Sequence, residues 1–321
     1  MKRAFVWTAL AFMVESVHAS FAATPRFEKA SEHCYYLQLR PGAENVGAVV
    51  TGEGTLIINP PPEPDLTTAL EALKRVSSQP VRWAVFTDPH FAQTAAAHQF
   101  AETGTIFLGT DQLRALSNAG GPEEDEPAAT KREDNAANSV EKPSPPWFVF
   151  GRQMRLFPSG VEIRIFSLQH KAHTGADLVV LVPEEKVLFV GGLYEAARYP
   201  EIDIALDGNP LGWIDGVKQV LESTPVLKSA MPPAKPRLKT EKETLEEGIV
   251  VVSAHGDSSN LQNMKDLLEA SQKLRNELSK GIKAGSSCDA FLASPASDPY
   301  RSYGNLVPYA QQLFEALSAN Q

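Results

Sequence analysis

The sequence predicts an α/β (α+β) protein in which mixed β-sheets are covered by helices. Two observations predict it. Strand-like and helix-like stretches alternate in both halves of the 321-residue chain, and several pairs of β-rich runs are joined by short Gly- or Pro-bearing turns, the mark of antiparallel hairpins. A composition of 43% hydrophobic and 21% charged residues is that of a globular protein able to bury a large core.

The first segment stands apart from the fold. Lys2 and Arg3 precede an apolar run from Ala4 to Val14, far short of the roughly 20 residues that span a bilayer. Small residues follow, and cleavage after Ala19 or Ala22 fits them. Residues 1–22 therefore read as a secretory signal peptide, leaving 23–321 as a single domain, secreted or periplasmic. No cysteine follows the apolar run to carry a lipid and no other long apolar run exists, so no membrane anchor is expected.

In the mature part, residues 46–59 form two β-rich runs around Gly52-Glu53-Gly54, and Pro60 to Pro62 stop the second. Leu66, Ala69, Leu70, Leu73 and Val76 then recur at helical spacing. A strand is expected over Arg82–Thr87, a helix over Phe91–Glu102, a strand over Thr105–Leu108 and a short helix from about Asp111. Residues 118–146, rich in charge, Pro and Ala, read as an exposed and mobile insertion. Hairpins follow around Pro158-Ser159-Gly160 and around Pro183 to Lys186. Asn209 and Pro210 look like an N-cap and first helical residue, and Ile249–Val252 like a buried strand. The stripe Leu261, Met264, Leu267, Leu268, Leu274 and Leu278 marks a long amphipathic helix; a last helix covers about Val307–Leu317.

Charge and motifs exclude several functions. The net charge is −9, and loss of Lys2, Arg3 and Glu15 with the leader makes it one unit more negative, which disfavours a nucleic-acid partner. There is no GxSxG elbow, no GxGxxG or Walker loop and no CxxC. Cys34 and Cys288 either pair or stay as separate thiols.

Three histidines fall just after or before strands. His90 follows the Trp83–Phe86 run, His173 precedes the Leu178 strand, and His255 follows Ile249–Val252. Imidazoles gathered from distant loops at strand ends are what a metal site needs, with rigid platforms below and space above.

The stretch AHTGADLVVLVPEEKVLFVGG, residues 172–192, resembles the middle of the metallo-β-lactamase superfamily; VGAVVTGEGTLIIN resembles its opening hairpin and SAHGDSSNLQNM its last histidine and following helix. The resemblance runs over about residues 33–318 and implies an αββα sandwich, two mixed sheets face to face with helices outside and a metal site at one edge. It also implies which ligands are kept. The family's His-x-His-x-Asp-His loop falls on Asp88, His90, Ala92 and Gln93. The second-loop histidine is His173, the metal-bridging aspartate falls on Gly192, the last histidine is His255, and Asn59 replaces the aspartate of the opening hairpin.

One metal set thus survives as Asp88, His90 and His173, which suits one zinc (or iron) ion with water in the fourth place. The second set keeps only His255, so a second metal is not expected. Two readings stay open. In one, the chain is a mononuclear metal-dependent hydrolase that activates water against an ester, amide or thioester of an unknown small molecule, with His255 as the catalytic group that orients water or moves a proton. In the other, it is a non-catalytic binding or scaffold protein that has lost the two-metal centre. Asp88 could equally be a helix cap; His98 reads as packing, His170 as a neighbour of the site, Asp177 as a brace for the histidine turn, and Glu195 as a stand-in carboxylate.

Overall fold

The computed structural model describes residues 24–40, 42–92, 100, 103–118, 147–224 and 248–320. The leader, almost all of the expected insertion at 118–146, and most of the expected helix over Phe91–Glu102 with His98 lie outside them.

Among the described residues two mixed sheets form. The first has seven strands in chain order: β1 (Glu28–Lys29), β2 (Cys34–Gln38), β3 (Asn45–Thr51), β4 (Gly54–Ile58), β5 (Val81–Val85), β6 (Ile106–Gly109) and β7 (Trp147–Val149). Strands β1 to β4 are antiparallel; β4 to β7 pair in parallel. Helices α1 (Asp65–Leu73), α2 (Pro89–Ala92) and α3 (Asp111–Asn118) lie between strands of this half. The second sheet contains β8 (Gln153–Leu156), β9 (Ile163–Ser167), β10 (Leu178–Val182), β11 (Val187–Gly191), β12 (Val250–Ser253) and β13 (Ser259–Asn260), ordered β13-β12-β11-β10-β9-β8, with β11 and β12 parallel and the rest antiparallel. Helices α4 (Pro210–Ser223), α5 (Leu261–Lys283), α6 (Cys288–Leu292) and α7 (Leu306–Ser318) follow in the second half.

The layering follows from alternation along the strands. In β10, Leu178, Val180 and Val182 join the core shared with the first sheet, while Val179 and Leu181 join a second core. In β11, Val187 and Phe189 take the first side, Leu188 and Val190 the other. That second core is closed by Trp213, Ile214, Val217 and Val220 of α4, by the predicted stripe of α5, and by Tyr309 and Leu313 of α7. Buried on both faces, β10 and β11 must read as unbroken apolar runs, and they do. The expected αββα sandwich is the fold.

Boundaries of the described elements moved by a residue or two, apart from α1, which ends at Leu73 short of the expected Val76, and α5, which runs on to Lys283 beyond the expected Leu278; one difference concerns the site. His90 does not sit in a loop after the strand but in the first turn of α2. The cysteines do not pair: both are free and buried. No described helix is long and apolar enough to cross a membrane.

Candidate metal centre

The loop from β5 to α2 is fixed before any ligand is placed. Asn59, at the end of β4 with a positive φ of 52°, accepts the Thr87 backbone N–H (2.8 Å) and donates Nδ2 to Thr87 Oγ1 (2.8 Å). The Thr87 carbonyl accepts the Leu178 N–H at 2.6 Å, tying this loop to β10 of the other sheet. Asn59 is thus a neutral brace whose donor and acceptor are both used.

Asp88 is buried at 1% exposure. Its Oδ1 accepts the backbone N–H of His90 at 3.1 Å, so it caps α2, and the same oxygen lies 3.1 Å from His90 Nδ1. Capping and ligation are therefore compatible for this side chain. The other face of the His90 ring meets a residue no sequence motif pointed to: Nε2 lies 2.8 Å from Asp203 Oδ2.

His173 comes from the β9–β10 connection. Its Nδ1 lies 2.7 Å from the carbonyl oxygen of Glu201. A carbonyl only accepts, so Nδ1 carries the proton and Nε2 is left with its lone pair, the state a metal needs. Asp177 holds the turn as expected, accepting the Thr174 N–H (3.0 Å) and hydroxyl (2.5 Å). The His90 and His173 rings face each other at 5.0 Å between centroids. At Gly192 a Cβ would lie 2.5 Å from His173 Nε2. The position of the bridging aspartate is thus not simply bare; the histidine ring occupies the space a side chain would need.

These three residues converge: each offers a ligand atom, and those atoms all lie within 4.8 Å of one another. They open onto a cavity of about 530 Å³. His255 lines it, bridged through its backbone to Glu44, but is not one of the converging donors. Glu195 and Gly192 line it too; His170 does not and is exposed. Among the lining carboxylates, Glu44, Glu201 and Asp203 are the ones that sequence reasoning missed. One other described group has similar spacing, Glu32, His33 and Glu185, where His33 Nδ1 meets Glu185 at 2.7 Å and so joins the β1–β2 turn to the β10–β11 turn.

The charges are mutually dependent. The hydrogen bond to Asp88 lifts His90 to about 9 against the opposing effect of burial, with the charges of Asp88 and Asp203 adding to the rise. Burial pushes Asp88 up, but the His90 hydrogen bond and the charges of His173 and His90 outweigh it and leave the carboxyl below its ordinary value. Burial, then the nearby Asp88 charge, raises Glu44 to about 7.

The donor set fits one ion. Two ligands on a tetrahedral zinc lie about 3.3 Å apart for bonds of ~2.0 Å, close to the 3.1 Å between Asp88 Oδ1 and His90 Nδ1. Two imidazoles and a carboxylate with a fourth place open is a ligand pattern of catalytic zinc.

With this geometry in hand, comparison with solved structures is decisive for the architecture. The chain is similar to the DIM-1 metallo-β-lactamase (15% identity, TM-score 0.54, covering 78% of this chain and 97% of that one). It is similar also to FIM-1 from Pseudomonas aeruginosa in its mono-zinc form (15%, TM-score 0.56, 78% and 95%). The chain has the metallo-β-lactamase fold. A third metallo-β-lactamase, from Pontibacter korlensis, agrees (17%, TM-score 0.53, 77% and 99%). No protein-family model matches the sequence, and no curated protein matches it. The metallo-β-lactamase likeness is therefore one of fold, and the chemistry must be argued from the residues.

Proposed function

We propose that the chain is a single-metal hydrolase on the metallo-β-lactamase fold, with Asp88, His90 and His173 holding one zinc ion (or iron). The observation that carries this reading is the convergence of those three donors within 4.8 Å at the floor of a cavity. A zinc ion held there supplies Lewis acidity, which polarises a carbonyl and makes water acidic. The chain supplies the rest. Glu201 fixes the His173 tautomer, and Asn59 and Asp177 fix the two ligand turns. Asp203 Oδ2, 2.8 Å from His90 Nε2, holds that nitrogen and so sets the ring's orientation. His255 and Glu44 line the cavity, and Glu44, raised to about 7, serves there as proton donor or acceptor. An ester, amide or thioester of a small molecule is the reaction class this arrangement suits.

The second reading, a binding or scaffold protein on the same fold, is favoured by one observation: carboxylates already engage both His90 nitrogens. Metal analysis separates the two. Protein purified without chelator carries about one zinc or iron per chain, and His90→Ala loses it; less than a tenth of an equivalent overturns the hydrolase reading.

We also propose that residues 1–22 are a leader removed on secretion, supported by the basic start and short apolar run. N-terminal sequencing of the exported protein then begins at Ser20 or Ala23; an intact Met1 refutes it.

A further inference from the structure

We infer that this cavity takes a cationic substrate, one bearing an amine or similar group beside an apolar portion. The inference rests on the reading of the cavity as the substrate site; the ligand cluster establishes the site, and the surrounding charges decide what enters it.

Five residues lining the cavity are carboxylates: Glu44, Asp88, Glu195, Glu201 and Asp203. No lysine or arginine is among the described residues that line it. Arg198, which does not line the cavity, lies 3.4 Å from Glu195 and offsets part of its charge. With that arginine and a divalent ion counted, the five carboxylates still outnumber the positive charges. A cleft lined by one sign of charge concentrates the opposite sign and repels its own. An anionic substrate, whether a carboxylate or a phosphoester, meets repulsion from these carboxylates and finds no lysine or arginine among the described lining residues to pair with.

The apolar part of the substrate has its own place. Ile204 is 56% exposed, one of the few large apolar side chains left open to water, and it lines this cavity next to Ile202 and Pro200. An exposed isoleucine on the wall of an acidic cleft gives an aliphatic or aromatic stem a surface to cover.

The test uses three probes of equal length: hexylammonium, hexan-1-ol and hexanoate. Binding to full-length mature protein is followed by saturation-transfer NMR, first metal-free and then zinc-loaded. The metal-free arm removes bonding between hexanoate and the ion as a source of affinity. Hexylammonium binds about tenfold more tightly than hexan-1-ol and hexanoate least, and the preference shrinks as salt is raised. The variant Glu195→Gln reduces the preference about twofold while metal content stays unchanged, because Glu195 is not among the three donors. Equal binding of hexanoate and hexylammonium, or binding by none of the three, overturns the inference. Zinc-bearing protein without a cation preference leaves the hydrolase reading standing. Metal-deficient protein with that preference supports the inference and defeats the hydrolase.

Discussion

His90 is held by a carboxylate on each ring nitrogen, and its raised affinity for a proton has a definite sign for stability. A histidine whose folded pKa lies at about 9, against an ordinary value of ~6.5, stabilises the fold fully below the ordinary value; that contribution is lost as pH rises through about 9. The metal-free protein therefore melts at progressively lower temperature between pH 6.5 and 9, and His90→Gln flattens that slope. Glu44, also raised, works in a lower window: its ionisation weakens the fold as pH rises through about 7. A melting temperature independent of pH between 7.5 and 9 refutes the His90 assignment. At Gly192 the prediction concerns an added carboxylate. Gly192→Asp puts a fourth ionisable group beside the donors, but its Cβ starts 2.5 Å from His173 Nε2. The expected result is displacement of His173 and lower zinc occupancy, not a second ion; metal analysis showing two equivalents contradicts this.

Among the elements, the segment between β11 and α4 matters most to the site although it contains no strand. Asp203 N–H donates to the His173 carbonyl (2.9 Å), Gly175 N–H to that of Leu206 (2.8 Å), and Asn209 N–H to that of Ala172 (2.9 Å), so the segment is laced to the histidine turn. Its end is fixed by Asn209, whose Oδ1 accepts the N–H groups of Leu211 and Gly212 at the start of α4. Asn209→Ala removes this cap at about 1–2 kcal/mol, seen as a lower denaturation midpoint, and weakens zinc retention because Asp203 and Glu201 lose their anchor. Unchanged zinc affinity in a destabilised variant breaks that link. The cap itself was legible from Asn209-Pro210, as was the apolar stripe of α5, since both are local signals. Glu44 and Asp203 were not legible. Neither has a partner at a fixed spacing; each reaches the cavity only because strand pairing and loop lacing carry it there. The two-residue edge strands β1 and β13, and β7 at three residues, escaped for the opposite reason, being too short to show alternation.

At the scale of the molecule, mixed sheets covered by helices were readable from the alternation of elements and the hairpin turns, whereas the αββα sandwich came from the resemblance; in the structure β10 and β11, buried on both faces, are apolar throughout. The shared ion of Asp88, His90 and His173 was an expectation from the resemblance; residue types alone did not carry the convergence, which depends on the Thr87–Leu178 link between the two sheets. The cores on either side of the second sheet are complete without any ion. Exhaustive chelation is thus expected to leave the circular dichroism spectrum native, with added zinc raising the melting temperature from a folded baseline; unfolding on chelation refutes this. The contact between His90 and Asp203 bears on when the proposed ion would enter: the ring has Asp203 to lean on with or without it. Under the proposed reading the chain therefore needs no metal to reach its final shape and is able to fold first and be charged later.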